Sequence, residues 1–408
     1  MNWIDYRSAR PYNYSRSQIA PFPEKAVLTL KAEESQLLAE MALSVPANPY
    51  NTKEQELFIR HAAGIASAFS ASSAAFIRQE LEHGFGAVLV KGLPVDEDLP
   101  ETPPTGGSLP VAYKKTFISE AMLVALGVLT GAEPFNFRQE GRGKAPLIDN
   151  IVPVQALKSQ RGAGGYDNNF PFHCESAWHR KRPDYLILLG VREAPGAYTL
   201  VFSVEMFEGT SWLEEAGKIK DWFRLKAPDL YLQMENAGIP MGTARYSFAP
   251  PLEKKGDTVR LNINFNGTDC ISEDAVQWLS ALEDFVEAKT AGTIITSGDA
   301  LILHNYNTCH TRTGYQPTFN GEDRWFLRGY FKKDLWEMRK EGHAYNMTDG
   351  TAIHDLVNAG WMTPEGTLTM EFSKYVFEPD ETRKLDGHLN ELAALAFNYT
   401  PISGTRIV

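Results

Sequence analysis

The first quarter of the chain has a helical spacing of hydrophobic residues. Leu and Met recur three and four positions apart over 31–45, and Phe, Ile and Ala do so over 52–84, where a Gly ends the run. Apolar residues with this period line one face of a helix, and Gly is a common helix end. A further apolar run covers 115–131. The pattern therefore predicts helices over these three ranges.

Short runs of β-branched and aromatic residues dominate the chain from FGAVLVKGLPVD at 85–96 onward. From about residue 150 they follow one another as far as 334, with one helical pattern among them at 272–287. Irregular connections and Gly-Asp turns separate these runs, which favours an antiparallel double sheet over alternating β–α–β units. We expect a single mainly β domain with flanking helices. Its predicted parts are an N-terminal arm and helices (1–84), a core with insertions (85–335) and a C-terminal extension (336–408).

Composition narrows the classes of protein and partner. Of the 408 residues, 43% are hydrophobic and 22% charged, with a formal net charge of −11, as in a globular protein with a sizeable core. Nucleic acids and anionic membranes select for basic faces, so neither is an expected partner. The sequence has no apolar run of about 18 residues and no apolar signal-peptide core. Three cysteines are an odd count without a disulfide pattern, and we expect a cytoplasmic protein.

Two histidines and a glutamate form the main candidate site. In FPFHCESAWHRKRPDY, His173 and Glu175 flank Cys174, and on a strand such neighbours point to the same side. His310 follows another strand-like run, GDALILHNYN. Two histidines and one carboxylate leave open positions on Fe(II) for a co-substrate and O₂. By itself the motif is weak evidence, since a single His–x–Glu also occurs by chance and then has a structural role.

Two arginines strengthen this interpretation. Arg324 follows His310 by 14 residues, and Arg328 follows four residues later in EDRWFLRGYF. A strand returning past the metal would direct both guanidinium groups toward it, and arginine binds carboxylates in a bidentate manner. An open metal position with an arginine behind it fits a 2-oxo acid, which chelates the metal at one end and forms a salt bridge at the other.

Over residues ~85–335 the chain resembles the Fe(II)/2-oxoglutarate oxygenases of the taurine-dioxygenase superfamily, and within them the clavaminate-synthase-like branch of free amino-acid hydroxylases. The resemblance lies in ordered blocks: GAVLVKGLP, FHCESAWHRKRPDYLILLG, GAYTLVFS and GDALILHNYNTCHTRTGYQPTFNGEDRWFLRGYF. It implies a double-stranded β-helix (jelly-roll) core, with Fe(II), 2-oxoglutarate and O₂ as cofactor and co-substrates.

The resemblance also implies roles for individual residues. His173, Glu175 and His310 would bind iron, and Arg324 would hold the distal carboxylate of 2-oxoglutarate. The Thr199 hydroxyl would help Arg324 to bind 2-oxoglutarate, and Arg328 would bind the carboxylate of the substrate. Gln139 would contact the backbone groups of the substrate, although three extra residues intervene here compared with the family pattern.

Two departures from the family pattern bear on the site. Cys174 replaces the usual Thr of the metal motif, with little expected consequence because it points away from the metal. Relatives that act on arginine or lysine carry an Asp-x-Asp 48 and 46 residues before the distal His, where this chain has Asn262 and Asn264. Neutral amides cannot neutralise a buried cation. A neutral or hydrogen-bonding substrate side chain is therefore expected, unless Asp269 or another acid replaces the pair.

The expected reaction is hydroxylation of an unactivated C–H bond in a free amino acid or a small derivative, a small-molecule substrate. Desaturation or cyclisation by the same site is an alternative outcome. In other classes, a zinc-dependent hydrolase could use the same His/Glu/His triad, and a binding protein could keep the pocket without metal. His304 is expected to be structural, and the segment around Gly162 and Gly165 to be a lid over the site.

Overall fold

A computed structural model describes most of the chain up to Trp336 and one short strand beyond it. The described residues are 3–12, 19–138, 147–179, 181–216, 222–226, 246–256, 258–336 and 347–349. The predicted C-terminal extension therefore lies almost wholly outside the described residues.

Most of the described helices lie in the first third of the chain, as the hydrophobic spacing predicts. The α-helices of the described part are α1 Tyr6–Ala9, α2 Ala32–Leu43, α3 Gln55–Ile65, α4 Ala71–His83, α5 Ile118–Leu129, α6 Trp212–Glu215 and α7 Glu273–Lys289. The predicted helices at 31–45, 115–131 and 272–287 are confirmed by α2, α5 and α7.

The predicted helix over 52–84 is wrong as one element, because α3 and α4 are separate. A short 3-10 turn follows α3, and Phe69 and Ser70 then leave the helical conformation. The Ser70 side chain accepts a hydrogen bond from the Ser73 N–H and so caps α4. Serine can start a helix as well as continue one, and the apolar spacing does not register the break. Gly84 ends α4, as predicted.

The strands are short and mostly antiparallel. They are β1 Ile4–Asp5, β2 Ala20–Pro21, β3 Val27–Thr29, β4 Ala87–Lys91, β5 Glu133–Arg138, β6 Ile148–Ile151, β7 Tyr185–Arg192, β8 Thr199–Ser203, β9 Phe223–Lys226, β10 Tyr246–Phe248, β11 Leu252–Lys255, β12 Thr258–Leu261, β13 Thr268–Cys270, β14 Ala291–Thr293, β15 Ala300–His304, β16 Thr308–Arg312, β17 Trp325–Lys332 and β18 Met347–Asp349.

Two of the sheets position the candidate site. The larger has eight strands in the order β18-β5-β17-β7-β15-β4-β3, with β6 also paired to β17. The second has the order β16-β8-β14-β2. Smaller sheets with the orders β1-β13-β9-β10 and β11-β12 complete the described strands. The predicted class, mainly β with flanking helices, is confirmed at this level.

Alternation along the strands divides the core into layers. On β4, Ala87 and Leu89 lie in the cluster that also contains Val201 of β8, so they face the second sheet. Their neighbours Val88 and Val90 lie in the cluster that contains residues of α2 to α5. A third cluster joins β8 and β16 to α7. Both faces of the two main sheets are therefore covered, which explains their nearly continuous hydrophobic sequences.

No helix of the described residues has the length and apolar character needed to cross a membrane.

Candidate active site

The two candidate histidines lie side by side on adjoining backbone segments. His310 is at the centre of β16, and His173 forms an isolated antiparallel bridge with it. The His173 N–H donates to the His310 carbonyl oxygen at 3.1 Å, and the reverse bond is 3.0 Å. Cross-strand partners carry their side chains on the same face. The imidazole centroids are accordingly 4.5 Å apart.

Glu175 completes the cluster from a turn rather than from a strand. The expected strand geometry for His–x–Glu is wrong, because Glu175 begins a turn that continues to Trp178. Asn305 fixes this turn: its Oδ1 accepts from the Glu175 N–H at 2.7 Å, and its Nδ2 donates to the Glu175 carbonyl oxygen at 2.9 Å. Glu175 Oε2 lies 3.8 Å from His173 Nε2 and 3.9 Å from His310 Nε2.

The protonation states suit a divalent metal ion. His173 Nδ1 lies 3.1 Å from the Pro171 carbonyl oxygen, a contact that a protonated Nδ1 makes as donor and that leaves Nε2 for a metal. Burial, and then the neighbouring His173, lower the pKa of His310 to about 3. Burial acts to raise the pKa of Glu175, but Arg328 and the two imidazoles hold it below its ordinary value. Two imidazoles, which bind a metal in their neutral form, and one carboxylate have ligand atoms within 4.8 Å of one another and fit Fe(II).

Glu175 Oε1 is held from the other side by β17. Tyr330 Oη donates to it at 2.6 Å, and Arg328 Nη1 at 3.3 Å. Only Oε2 therefore faces the histidines. The sequence motif does not single out Tyr330, although its position two residues after Arg328 on a strand places both side chains on one face.

Arg324 lies at the other end of the site and carries an uncompensated charge. It is 4% exposed, its guanidinium carbon lies 3.6 Å from the ring centroid of Phe326, and its buried Nε has no hydrogen-bond partner. Within the described part of the chain, no carboxylate pairs with it. Burial lowers its pKa from the ordinary value. A buried cation without a counter-ion is costly, so this end fits an anionic ligand.

Thr199 and Arg312 line the same cavity as Arg324. They are partners in the register between β8 and β16, and both line the cavity that contains the triad. Burial, and then the charge of Arg324, lower the pKa of Arg312 to about 10. The motifs do not single out Arg312, although it follows His310 by two residues and so shares its face.

Arg312 ties the glycine-rich segment to the site. Its Nη2 donates to the Gly165 carbonyl oxygen at 2.8 Å, and its Nη1 donates to the Thr313 carbonyl oxygen at 2.7 Å. Gly162 and Ala163 line the same cavity. The lid function of this segment stays a prediction. The cavity lining consists of Ile151, Gly162, Ala163, Phe170, His173, Glu175, Leu188, Thr199, His310, Thr311, Arg312, Arg324 and Arg328.

Arg328 lies between two carboxylates. Besides its contact with Glu175, its Nη2 donates to Asp149 Oδ2 at 2.5 Å. Its Nε is buried and has no hydrogen-bond partner. Burial acts to lower the pKa of Arg328, but Tyr330, Glu175 and Asp149 raise it above the ordinary value. The sequence motifs do not single out Asp149.

The residues predicted to contact the substrate side chain do not line the cavity in the described structure. Asn264 is the bridge partner of His173, and its Oδ1 accepts from the Gly267 N–H at 3.1 Å. Asn262 is buried, and its Nδ2 donates to the Pro250 carbonyl oxygen at 3.0 Å. Neither asparagine is among the cavity-lining residues, and Gln139 lies outside the described residues.

The chain is similar to known proteins over most of its length. L-asparagine oxygenase of Streptomyces coelicolor is 25% identical over 323 residues, which cover 76% of this chain and 91% of the relative. Clavaminate synthase 2 of Streptomyces clavuligerus is 30% identical over 260 residues, which cover 61% of this chain and 74% of the relative. The chain belongs to the clavaminate-synthase-like family of Fe(II)/2-oxoglutarate oxygenases. No protein-family model matches it.

The fold of this clavaminate-synthase-like oxygenase is also found among solved structures. A crystal structure of asparagine oxygenase superposes with a TM-score of 0.68 at 23% identity, covering 80% of this chain and 100% of that one. Membership of this family, shown by the sequence relatives, makes the enzyme an Fe(II)/2-oxoglutarate-dependent dioxygenase. When bound, Fe(II) and 2-oxoglutarate supply, together with O₂, the oxidising power for the reaction. The resemblance inferred from the motifs is confirmed.

Proposed function

We propose that this oxygenase hydroxylates an unactivated C–H bond of a free amino acid or a small amino-acid derivative, with conversion of 2-oxoglutarate to succinate and CO₂. The observation that carries the proposal is the pair of arginines at opposite ends of one cavity. Arg324 has no carboxylate partner within the described residues, and Arg328 keeps a buried Nε without a partner. Each therefore has capacity to bind a carboxylate, one from the co-substrate and one from the substrate.

The proposed roles follow this division. His173, Glu175 and His310 hold the iron, while Arg324 and Thr199 bind the distal carboxylate of 2-oxoglutarate. Arg328 binds the substrate carboxylate, Gln139 the backbone groups, and Asn262 and Asn264 the side chain. Tyr330 keeps Glu175 Oε1 away from the histidines, and apolar cavity residues such as Leu188 exclude water.

The finer architecture is part of the proposal. The larger sheet and the β16-β8-β14-β2 sheet enclose a shared hydrophobic cluster, which supports a double-stranded β-helix with the triad between its sheets. We place the whole chain, 1–408, in one such domain with 336–408 as an extension. The buried, unpaired cysteines support a cytoplasmic location.

A neutral substrate side chain is favoured over a cationic one. Asn262 and Asn264 carry no charge, and Asp269 does not replace the missing acids because it pairs with Arg224 at 2.9 Å and with Lys226 at 3.4 Å. A basic side chain would therefore lack a counter-ion at this position.

A screen for succinate release over free amino acids, neutral and basic together, tests the function. We expect 2-oxoglutarate turnover that depends on a neutral polar amino acid, and product mass separates hydroxylation from desaturation or cyclisation. His173→Ala is the negative control. Absence of amino-acid-dependent succinate from the iron-loaded enzyme would overturn the proposal. A zinc hydrolase, by contrast, would have no use for Arg324.

A further inference from the structure

Strand β6 presents one acid to the active site. On its outer face, Asn150 is buried, accepts a hydrogen bond from Trp325 Nε1 at 2.8 Å and donates to Tyr50 Oη at 3.1 Å. Asp149 therefore lies on the opposite face, which it shares with the cavity residue Ile151. The contacts of Asn150 fix this register, so strand β6 holds Asp149 against the cavity-lining Arg328.

Asp149 contacts Arg328, the residue proposed to bind the substrate carboxylate. It is the register partner of Arg328 across β6 and β17, and its Oδ2 accepts from Arg328 Nη2 at 2.5 Å. Among the described residues, no hydrogen bond reaches its Oδ1. Both side chains are about 20% exposed, so the pair lies at the open side of the site.

The charges around Arg328 indicate what Asp149 can bind. One guanidinium faces two carboxylates, Glu175 and Asp149. With a divalent ion on the triad, Glu175 is engaged by the metal, and Asp149 remains as the anion of the pair. A cation and an anion in contact match the two charged groups of a zwitterion.

We propose that Asp149 binds the α-ammonium group of the substrate and thereby makes the enzyme specific for amino acids with a free α-amine; this inference rests on the proposed function. The α-ammonium and α-carboxylate groups are attached to the same carbon atom. The partner of the ammonium must therefore lie directly beside the partner of the carboxylate, as Asp149 lies beside Arg328. A cationic side chain would place its charge several bonds farther away.

The test compares a free amino acid with its des-amino and Nα-acetyl analogues in the wild-type enzyme and in Asp149→Asn. The amino acid is the one giving most succinate in the screen. Binding is measured by anaerobic calorimetry with Fe(II) and 2-oxoglutarate present, and kcat and KM by succinate release. Asp184→Asn is the matched control. The Asp184 carboxylate pairs with Lys332 Nζ at 3.3 Å, on the same strand as Arg328. Neither Asp184 nor Lys332 is among the residues that line the cavity.

We expect Asp149→Asn to weaken binding of the free amino acid about 10- to 100-fold, the effect of losing one charge-assisted hydrogen bond. KM should rise more than kcat falls, the analogues without a charged amine should bind as before, and Asp184→Asn should match the wild type. An equal loss for all three ligands would mean that Asp149 only positions Arg328, and would overturn the inference. No loss at all would do the same. Failure of every free amino acid with the wild-type enzyme would instead refute the proposed function.

Discussion

Arg324 and Arg328 are four residues apart in the chain, yet their charged neighbours differ: Arg312 lies near Arg324, whereas two carboxylates contact Arg328. Arg324 is buried against Phe326 and has no carboxylate partner in the described structure. Arg328 contacts the carboxylates of both Glu175 and Asp149. The pKa of Arg324 is accordingly lowered, first by burial, whereas the acids beside Arg328 raise its pKa despite burial.

This difference separates two kinds of binding site. The end with Arg324, Arg312 and Thr199 carries excess positive charge, which suits a dianion such as 2-oxoglutarate. The end with Arg328, Asp149 and Glu175 is already compensated, which suits a zwitterion that exchanges ion pairs without changing the total charge. In the proposed assignment the same residue type serves two ligands, and its neighbours decide which.

The largest effect should be on the stability of the metal-free protein. Arg328→Met leaves Asp149 and Glu175 without their cation, so we expect the free energy of unfolding to fall by about 3 kcal/mol. Arg324→Met removes a buried, uncompensated charge and should be neutral or stabilising, within about 1 kcal/mol. Urea unfolding of the two variants checks this. Equal destabilisation by both would break the comparison.

The next largest effect should be the loss of Fe(II) affinity on removal of the Tyr330 hydroxyl. Tyr330→Phe removes the 2.6 Å hydrogen bond to Glu175 Oε1, so the carboxylate loses its fixed orientation. We expect Fe(II) to bind about tenfold more weakly, as is usual when a group supporting a metal ligand is lost. Tyr315→Phe, beside Arg324, is the matched control and should leave iron affinity unchanged. A similar loss in both variants would argue against a specific role for Tyr330.

His304, which lies outside the cavity lining, should contribute to the loss of folding stability in acid. Burial lowers the pKa of His304 to about 4, so the folded protein binds fewer protons than the unfolded chain between about pH 6.5 and pH 4. Stability from this group is complete above pH 6.5 and decreases as pH falls through that window. His304→Gln should reduce the loss by about 1–3 kcal/mol, measured by urea unfolding of the metal-free protein at pH 7 and pH 4.5. Parallel losses in variant and wild type would contradict this.

The smallest effect should come from Cys174, between two metal ligands in sequence. Its Sγ points away from them, 3.5 Å from the carbonyl oxygens of both Leu261 and Thr308. A threonine hydroxyl can donate to the same carbonyl groups. Cys174→Thr should therefore change unfolding free energy by less than about 1 kcal/mol and leave iron affinity unchanged. A large loss of iron affinity would place this side chain in the metal site.

The sequence predicts the parts of the site that depend on local pattern. Strand parity and motif spacing indicate His173, His310 and Arg324, and hydrophobic spacing predicts α2, α5 and α7. The break at Ser70 and the turn at Glu175 are not predicted, because side-chain hydrogen bonds decide them. Asp149 is also missed, since its role arises from a contact with Arg328, 179 positions away in the chain. Chemistry that arises from tertiary pairing leaves no periodic signal.

The most direct test of the division between the two arginines is the affinity for 2-oxoglutarate. The weak visible charge-transfer band of the Fe(II)–2-oxoglutarate chelate is titrated anaerobically in the wild-type enzyme, Arg324→Met and Arg328→Met. For Arg324→Met we predict a dissociation constant at least about 100-fold larger, because a charged bidentate contact is lost. For Arg328→Met the dissociation constant should change by no more than about a few-fold. Equal losses in the two variants, or wild-type affinity in Arg324→Met, would contradict the account.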